Sequence, residues 1–298
     1  MRQSRVRHTL FHDQSKTLTI AGDLISAAVL LTLVVLFFFR AEMVLNYRWN
    51  WSPVFNSIFS RNGLLLRGFL TTIRLSVWAT IFAFLIGTLV GVGRLSGNLF
   101  ARLVSGAYVS LIRNIPPLVL VFIFYFFFSS QLLDPLGLDS IVRRASPETR
   151  RIVAILFAEP GRITAFFSAV LTLAIYEGSY IAEIVRSGIQ SVDRGQWEAS
   201  WAIGLSRIDR MRFVILPQAL RHVLPALAGQ FISTMKDSAI VSVISIGELT
   251  FQGMELTAAT YRTLEIWISV TLLYFILTFS FSQVIGFMER RLRARYSD

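Results

Sequence analysis

The sequence predicts an all-α protein, a polytopic transmembrane helical bundle of about six spans. Three observations predict it. Of 298 residues, 54% are hydrophobic, and the mean hydropathy is +0.60, above the usual range of soluble domains. The apolar residues gather in blocks long enough to cross a hydrocarbon core of about 30 Å at about 1.5 Å per residue. The formal net charge is +11, and the basic excess flanks these blocks, where it reports topology rather than affinity for nucleic acid.

Taken in order, the first span is about Ile20–Phe39. Its polar lead is long for a signal peptide and no small-x-small pattern precedes Arg40, so an uncleaved helix is expected. The second, about Gly68–Gly93, contains Arg74. The third, about Tyr108–Ser130, has Arg113 and the pair Pro116–Pro117 near its start. The fourth, about Ile163–Arg186, holds Glu177 and Glu183. The fifth, about Val223–Gly247, holds Lys236 and Asp237. The sixth, about Leu264–Phe287, is read as free of charge. With the N-terminus inside, inner segments carry sixteen basic residues and outer segments ten. That bias places both termini in the cytoplasm, as does the basic run Glu289–Arg295.

Two connections are long. In the outer one, 131–162, Ser146 can cap a short helix, Pro147 suits its first turn and Pro160–Gly161 ends it. The apolar stretch Ile152–Ala158 is too short to span and is expected on the outer surface. The chain therefore divides into a tail 1–19, a helix 20–39, a transmembrane domain 64–288 that includes an inner loop 187–222, and a basic tail 289–298.

Several chemistries are excluded. There is no cysteine, hence no disulfide, thiolate metal site or cysteine nucleophile. His8 and His12 have helical i,i+4 spacing but no third ligand nearby, so no metal site is expected. Only Lys16 and Lys236 are lysines. Neither follows a glycine-rich turn, so the chain has no Walker-type phosphate loop. No serine elbow is present either, and catalytic residues are expected to be none. A secondary transporter would need a second half or an inverted repeat, which is not seen.

Residues 191–222 read as two short amphipathic helices. Asp193 can cap the first, with Gln196 three residues on. Trp197 and Trp201 share a face of it, as do Ala199 and Ile203. Gly204 supplies the turn. Ser206 can cap the second helix with Asp209. Ile208, Met211, Ile215 and Leu216 give it an apolar face, and Pro217 marks a bend or stop. By physical reasoning the pair is either an interfacial element on the inner leaflet or a docking element for a cytosolic partner.

The segment resembles the EAA loop of permeases from ABC importers. That pattern is E-A-A, three residues, G, nine residues, I, one residue, L-P. Here Glu198-Ala199-Ser200, Gly204, Val214 and Leu216-Pro217 keep every spacing, with Ala to Ser and Ile to Val as the departures. Tyr108–Pro117 (YVSLIRNIPP), Tyr180–Gly188 (YIAEIVRSG), Gly195–Glu198 (GQWE) and Pro217–Arg221 (PQALR) are similar to segments of the polar amino acid uptake subfamily. The similarity covers roughly residues 64–287; the first span and the loop 131–162 are less typical.

The resemblance implies a type I ABC importer permease fold in a bacterial inner membrane. It implies pairing with a second permease, identical or homologous, around a central pathway. Glu198, Ala199, Ser200, Gly204, Leu216 and Pro217 would belong to the element that couples to ABC ATP-binding subunits. ATP and Mg would be used by those subunits, with no cofactor bound by this chain. An extracytoplasmic solute-binding protein would deliver a polar amino acid. Arg74, Glu177, Lys236 and Asp237 are the intramembrane charges that could line the pathway. Each costs about 2.5–3.5 kcal/mol on insertion scales, so each should face protein or water. Solute contact and interhelical pairing both satisfy that demand. Glu177 and Lys236 are expected near mid-depth and Arg74 nearer the outside. Arg113 is expected to serve the kink or the head groups, and Glu183 to pair with Arg186.

Overall fold

The computed structural model describes residues 25–294 apart from 34, 41, 42, 45, 46 and 61. The tail 1–19 with His8, His12 and Lys16, and the start of the first expected span, lie outside the described residues. The chain divides into two units, Met1–Trp51 and Ser52–Asp298. In the first, an apolar helix α1 (Ile25–Arg40) precedes an aromatic cluster. Phe38 lies 4.7 Å from Trp49, which stacks on Trp51 at 5.9 Å. Tryptophans at the end of an apolar helix suit a head-group interface.

The second unit is all helical among its described residues. It comprises α2 (Ser52–Phe59), α3 (Leu64–Arg94), α4 (Leu99–Asn114), α5 (Pro117–Phe127), α6 (Leu138–Arg144), α7 (Pro147–Leu156) and α8 (Ile163–Gln190). Then come α9 (Arg194–Ala202), α10 (Arg207–Asp209), α11 (Leu216–Asp237), α12 (Leu249–Thr260) and α13 (Thr263–Ala294). Four described helices are long and apolar enough to span: α3, α5 continued to Leu136, α8, and α13 to Phe287. A fifth arises if the bent pair Arg207–Ile244 and Leu249–Thr260, which meet at 48°, counts as one span.

Helix α8 is the spine, buried along almost its whole length. Helix α3 packs on it through a stripe of small residues: Thr72, Ser76, Ala79, Ala83, Gly87 and Gly91 are all buried. A Cβ at Gly87 would lie 2.6 Å from Ile181 and 2.8 Å from the Gly178 carbonyl, and one at Gly91 would lie 2.7 Å from the Ala182 carbonyl. Apolar surface gains nothing by leaving lipid, so close backbone approach and dispersion carry such contacts, and small residues permit them. One core, Leu75, Ala79, Val121, Phe166, Val170, Leu173, Val241 and Ile244, surrounds the first half of α8. A second, Ala83, Ile181, Val185, Ile189, Ile215, Ala219 and Val223, surrounds its last half.

Four expectations are corrected. The third span does not begin at Tyr108. Ile115 precedes a proline and is extended, with φ −92° and ψ 137°, because the ring at Pro116 disfavours the helical region there. Residues 99–114 thus form the separate helix α4, capped by Asn98 Oδ1, which accepts from Phe100 N at 2.9 Å. Arg113 is therefore outside the span; its guanidinium lies 5.1 Å over the Tyr180 ring.

Pro217 does not stop a helix. It sits in the first turn of α11, and the chain enters through a π-type turn, Arg210–Ile215. A first-turn proline loses no intrahelical bond.

The fifth span does not pass straight to a loop. It tightens through Ser238–Ile244, turns at Ser245 with φ 60°, and restarts at α12. Nor is the sixth span uncharged: Glu265 lies in its first turn and is fully buried.

The stripe yields a measurable consequence. Gly87→Val and Gly91→Val should each cost about 1–3 kcal/mol through overpacking, seen as a lower thermal unfolding midpoint in detergent. Gly106→Val, with open space around its position, should stay within about 0.5 kcal/mol of the parent. Equal midpoints in all three would show that close α3–α8 approach does not set stability.

Candidate functional site

The α9–α10 segment folds as a small knob. Asp193 Oδ1 accepts from Gly195 N at 2.7 Å and starts α9. Gln196 does not bond back to the cap. Its Oε1 accepts from Gln218 Nε2 at 3.1 Å, which ties α9 to α11. Gly204 has φ 78°, and Gly204 N donates to the Trp201 carbonyl at 2.9 Å. Ser206 Oγ accepts from Asp209 N at 3.2 Å and donates to Asp209 Oδ2 at 2.6 Å.

The knob has a buried base and an exposed tip. Trp197, Met211, Val214 and Ile215 pack with Val185, Ile189 and Val192 at the end of α8 and with Ala219 and Val223 of α11. Ser200 is buried, and its Oγ donates to the Trp197 carbonyl at 2.8 Å. Trp201, Ile203, Ile208 and Phe213 are 65–77% exposed, and Glu198, Ala199 and Gly204 are exposed beside them. Trp197 and Trp201 thus part company, one facing the base and the other the tip. Of the expected apolar face, Met211 and Ile215 reach the core, while Ile208 and Leu216 do not.

The intramembrane charges fall in different places. Arg74 is engaged by α7. Its Nη1 donates to the Ala154 carbonyl of α7, its Nη2 to Thr71 Oγ1 at 3.0 Å, and its Nε to the Leu70 carbonyl at 3.2 Å. Trp78 Nε1 donates to the Leu156 carbonyl at 3.0 Å. Glu177 is fully buried; its Oε2 accepts from Gln230 Nε2 at 2.6 Å. Its Oε1 receives no hydrogen bond among the described residues. Asp237, the last residue of α11, stands within hydrogen-bonding reach of Glu177 in the middle of α8. Lys236 is exposed and does not reach Glu177. Glu183 pairs with Arg186 as expected and also with Arg94 of α3. These pairs fasten the C-terminal ends of α3 and α8 to each other.

One residue escaped the sequence reading altogether. Glu248 is fully buried at the break between α11 and α12. Its carboxylate accepts from Thr250 N at 2.9 Å, Phe251 N at 2.8 Å and Tyr274 Oη at 2.7 Å. Thr72 Oγ1 of α3 accepts from Leu249 N at 3.1 Å. A carboxylate at a helix N-terminus answers both the free N–H groups and the helix dipole. An acidic residue directly before the helix start at Leu249 was the available signal.

Comparison with known proteins adds the family. The family described as binding-protein-dependent transport system inner membrane component matches residues 83–294. The chain is 35% identical over 246 residues to the glutamine transport system permease protein GlnP of Escherichia coli (strain K12), covering 83% of this chain and 99% of that protein. It is 32% identical over 239 residues to the probable glutamine ABC transporter permease protein GlnM of Bacillus subtilis (strain 168), covering 80% and 98%. Among solved structures, an amino acid ABC transporter crystallised with histidines has a chain 34% identical, with a TM-score of 0.61, covering 76% of this chain and 94% of that one. The MetNI methionine ABC transporter, inward facing, shares the fold at 23% identity and a TM-score of 0.57, covering 76% and 95%. The relatives are membrane permease subunits, not catalytic by themselves. With the family matched over most of the chain, this protein belongs to the binding-protein-dependent inner membrane components, the permease subunits of ABC importers.

Proposed function

We propose that this permease carries a polar amino acid and is driven through the α9–α10 knob by ABC ATP-binding subunits. The observation that carries the coupling half is the division of the knob. Its tip exposes Trp201, Ile203, Ile208 and Phe213 around Gly204, while its base is locked onto α8 and α11. An exposed apolar cluster on a rigid base suits a protein groove. A push on the tip would reach the spine helix without being lost in a flexible linker. Glu198, Ala199, Ser200 and Gly204 form the coupling element, and Leu216–Pro217 begins the helix that receives the motion. ATP and Mg are used by the partner subunits, and this chain binds no cofactor. An extracytoplasmic binding protein delivers the solute, as the family's description implies.

The substrate class rests on relatives named for glutamine and for glutamate and aspartate. It also rests on the mid-membrane carboxylates Glu177 and Asp237. A buried carboxylate oxygen without a donor is costly, and an amino acid's ammonium group would supply one. Lys236, exposed on the single chain, would offer the solute carboxylate a counter-charge from the pathway side, which a second permease, identical or homologous, would close. Arg74 is given instead to holding α7. Both termini lie in the cytoplasm in this reading, following the basic bias of the inner segments.

Two outcomes check it. Gly204→Asp and Glu198→Arg should lower the yield of ATP-binding subunit co-purified with the membrane-inserted permease by about tenfold or more, equivalent to about 1.4 kcal/mol at the contact. Wild-type yield and wild-type uptake in both variants would remove the coupling assignment.

For the solute, Glu177→Gln keeps an oxygen for Gln230 but removes the charge. In the intact complex at normal expression it should lower uptake of labelled glutamine or glutamate about tenfold or more. A neutral side chain there is worth a charge-assisted bond less, about 1.5–3 kcal/mol. Lys236→Met should shift preference between the two. Unchanged affinity and preference in both variants would return these residues to a structural role.

A further inference from the structure

Helix α4 ends on a cation that the fold leaves without an anion. Arg113 is exposed in the last turn of α4. No carboxylate among the described residues lies within ion-pair distance of its guanidinium. The guanidinium sits 5.1 Å from the centre of the Tyr180 ring on α8. A ring face and a helix C-terminus both favour a cation, but neither neutralises a full charge. The place of Arg113 is fixed from both sides. Ile112, just before it, is buried with Leu120 and Tyr176. Ile115, just beyond, is extended and ends the helix. One turn back, Tyr108 Oη donates to the Ile175 carbonyl at 2.5 Å, and a Cβ at Gly178 would lie 3.0 Å from that hydroxyl, so α4 meets α8 at close range.

Tyr180 leads from Arg113 toward the carboxylates in the middle of α8. Its Oη lies 3.2 Å from Tyr176 Oη, and the two rings meet edge to face at 5.3 Å. At about 100° per residue, Tyr176, Glu177 and Tyr180 fall on one face of α8. Asp237 of α11 stands near Tyr176 as well as Glu177. Guanidinium, phenols and carboxylates thus form one strip with opposite charges at its ends. One ring and about one helical turn separate those ends. That is farther than the single carbon between an amino acid's ammonium and its α-carboxylate. It suits a carboxylate at the end of a side chain.

We propose that Arg113 selects the solute's side chain: with the solute ammonium at Glu177 and Asp237, a side-chain carboxylate reaches along Tyr176 and Tyr180 to the Arg113 guanidinium. The inference rests on the solute reading of Glu177 given above. It narrows the favoured solute to an acidic amino acid. A carboxylate accepts two parallel hydrogen bonds from a guanidinium and carries the opposite charge. An amide side chain offers one neutral oxygen and brings donors that a guanidinium cannot accept. The α-carboxylate is left to Lys236.

The test uses the complete transporter in proteoliposomes, with its binding protein in excess, and reads the ratio of labelled glutamate uptake to labelled glutamine uptake. Dividing each variant's ratio by the parent's cancels the binding protein's own preference. Arg113→Gln should lower the ratio about tenfold by slowing glutamate alone. Arg113→Lys, which keeps the charge without the planar fork, should lower it about threefold. Glu177→Gln should slow both solutes by the same factor. The yield of assembled complex shows that the variants fold, and Arg113→Lys carries the comparison if Arg113→Gln does not assemble. The parental ratio in the Arg113 variants, with Glu177→Gln still slowing both solutes, overturns the Arg113 assignment and leaves the solute site standing. So does an equal loss of both solutes in the Arg113 variants at normal yield, which would mark a structural contact with Tyr180. A parent that carries glutamine and not glutamate also overturns it. Parental uptake of both solutes in all three variants removes the solute site and this inference together.

Discussion

The close approach of α3 to α8 is the constraint on which the rest of the structure depends. In lipid, two helices gain little by burying apolar side chains, since the surroundings are equally apolar. What holds them is backbone-to-backbone proximity, and that demands Gly87 and Gly91 against Gly178, Ile181 and Ala182. With the two helices in register, Thr72 reaches Leu249 at the start of α12, and Arg94 reaches Glu183 toward their C-terminal ends. The same register brings Arg74 and Trp78 beside the last turn of α7. A side chain inserted into the stripe would misplace contacts at both ends of the bundle.

Helix α8 links the levels of the molecule. Its first turn is capped by Asp139 of α6 and wedged by Phe157. Its middle carries Glu177, opposite Gln230 of α11. Its end supplies Val185 and Ile189, which with Val192 just beyond it seat the α9–α10 knob. A displacement at the knob would therefore be felt along α8 and α11 together, because packed helices shift as units and do not deform continuously. The break at Ser245–Glu248 is the place where the fifth span can change direction. Glu248 makes that break stable by answering the free amides of α12.

Three buried carboxylates, Glu177, Glu248 and Glu265, show how differently a charged residue can be used at similar burial. Glu248 is surrounded by donors from backbone and Tyr274, so it is a fixture of the fold. Glu177 has one satisfied oxygen and an acidic neighbour, an arrangement that spends stability without an evident structural return. That contrast, more than position along the helix, separates a structural acid from a candidate for solute contact.

Much of the bundle was legible in the residues themselves. Apolar block length marked α3, α8 and α13, because a span must satisfy its backbone internally over a fixed thickness. Ser146, Asp193, Gly204 and Ser206 announced their caps and turn, because such chemistry is local. The spacing from Glu198 to Pro217 marked the segment proposed for coupling. The division of the third block at Ile115–Pro116 was written in its prolines but masked by unbroken hydropathy. Other features could not be read from local pattern. Trp197 and Trp201 have the same helical spacing, yet only packing on α8 decides that one is base and the other tip. Lys236 and Glu177 were both expected near mid-depth, but the rotation of α11 turns Gln230 and Asp237 toward Glu177 and leaves Lys236 exposed. Hydropathy and capping depend on neighbours within one or two turns, so the sequence by itself determined the spans and the knob. Which charges meet depends on how helices far apart in the chain rotate against each other, and only the tertiary packing around α3 and α8 decided that.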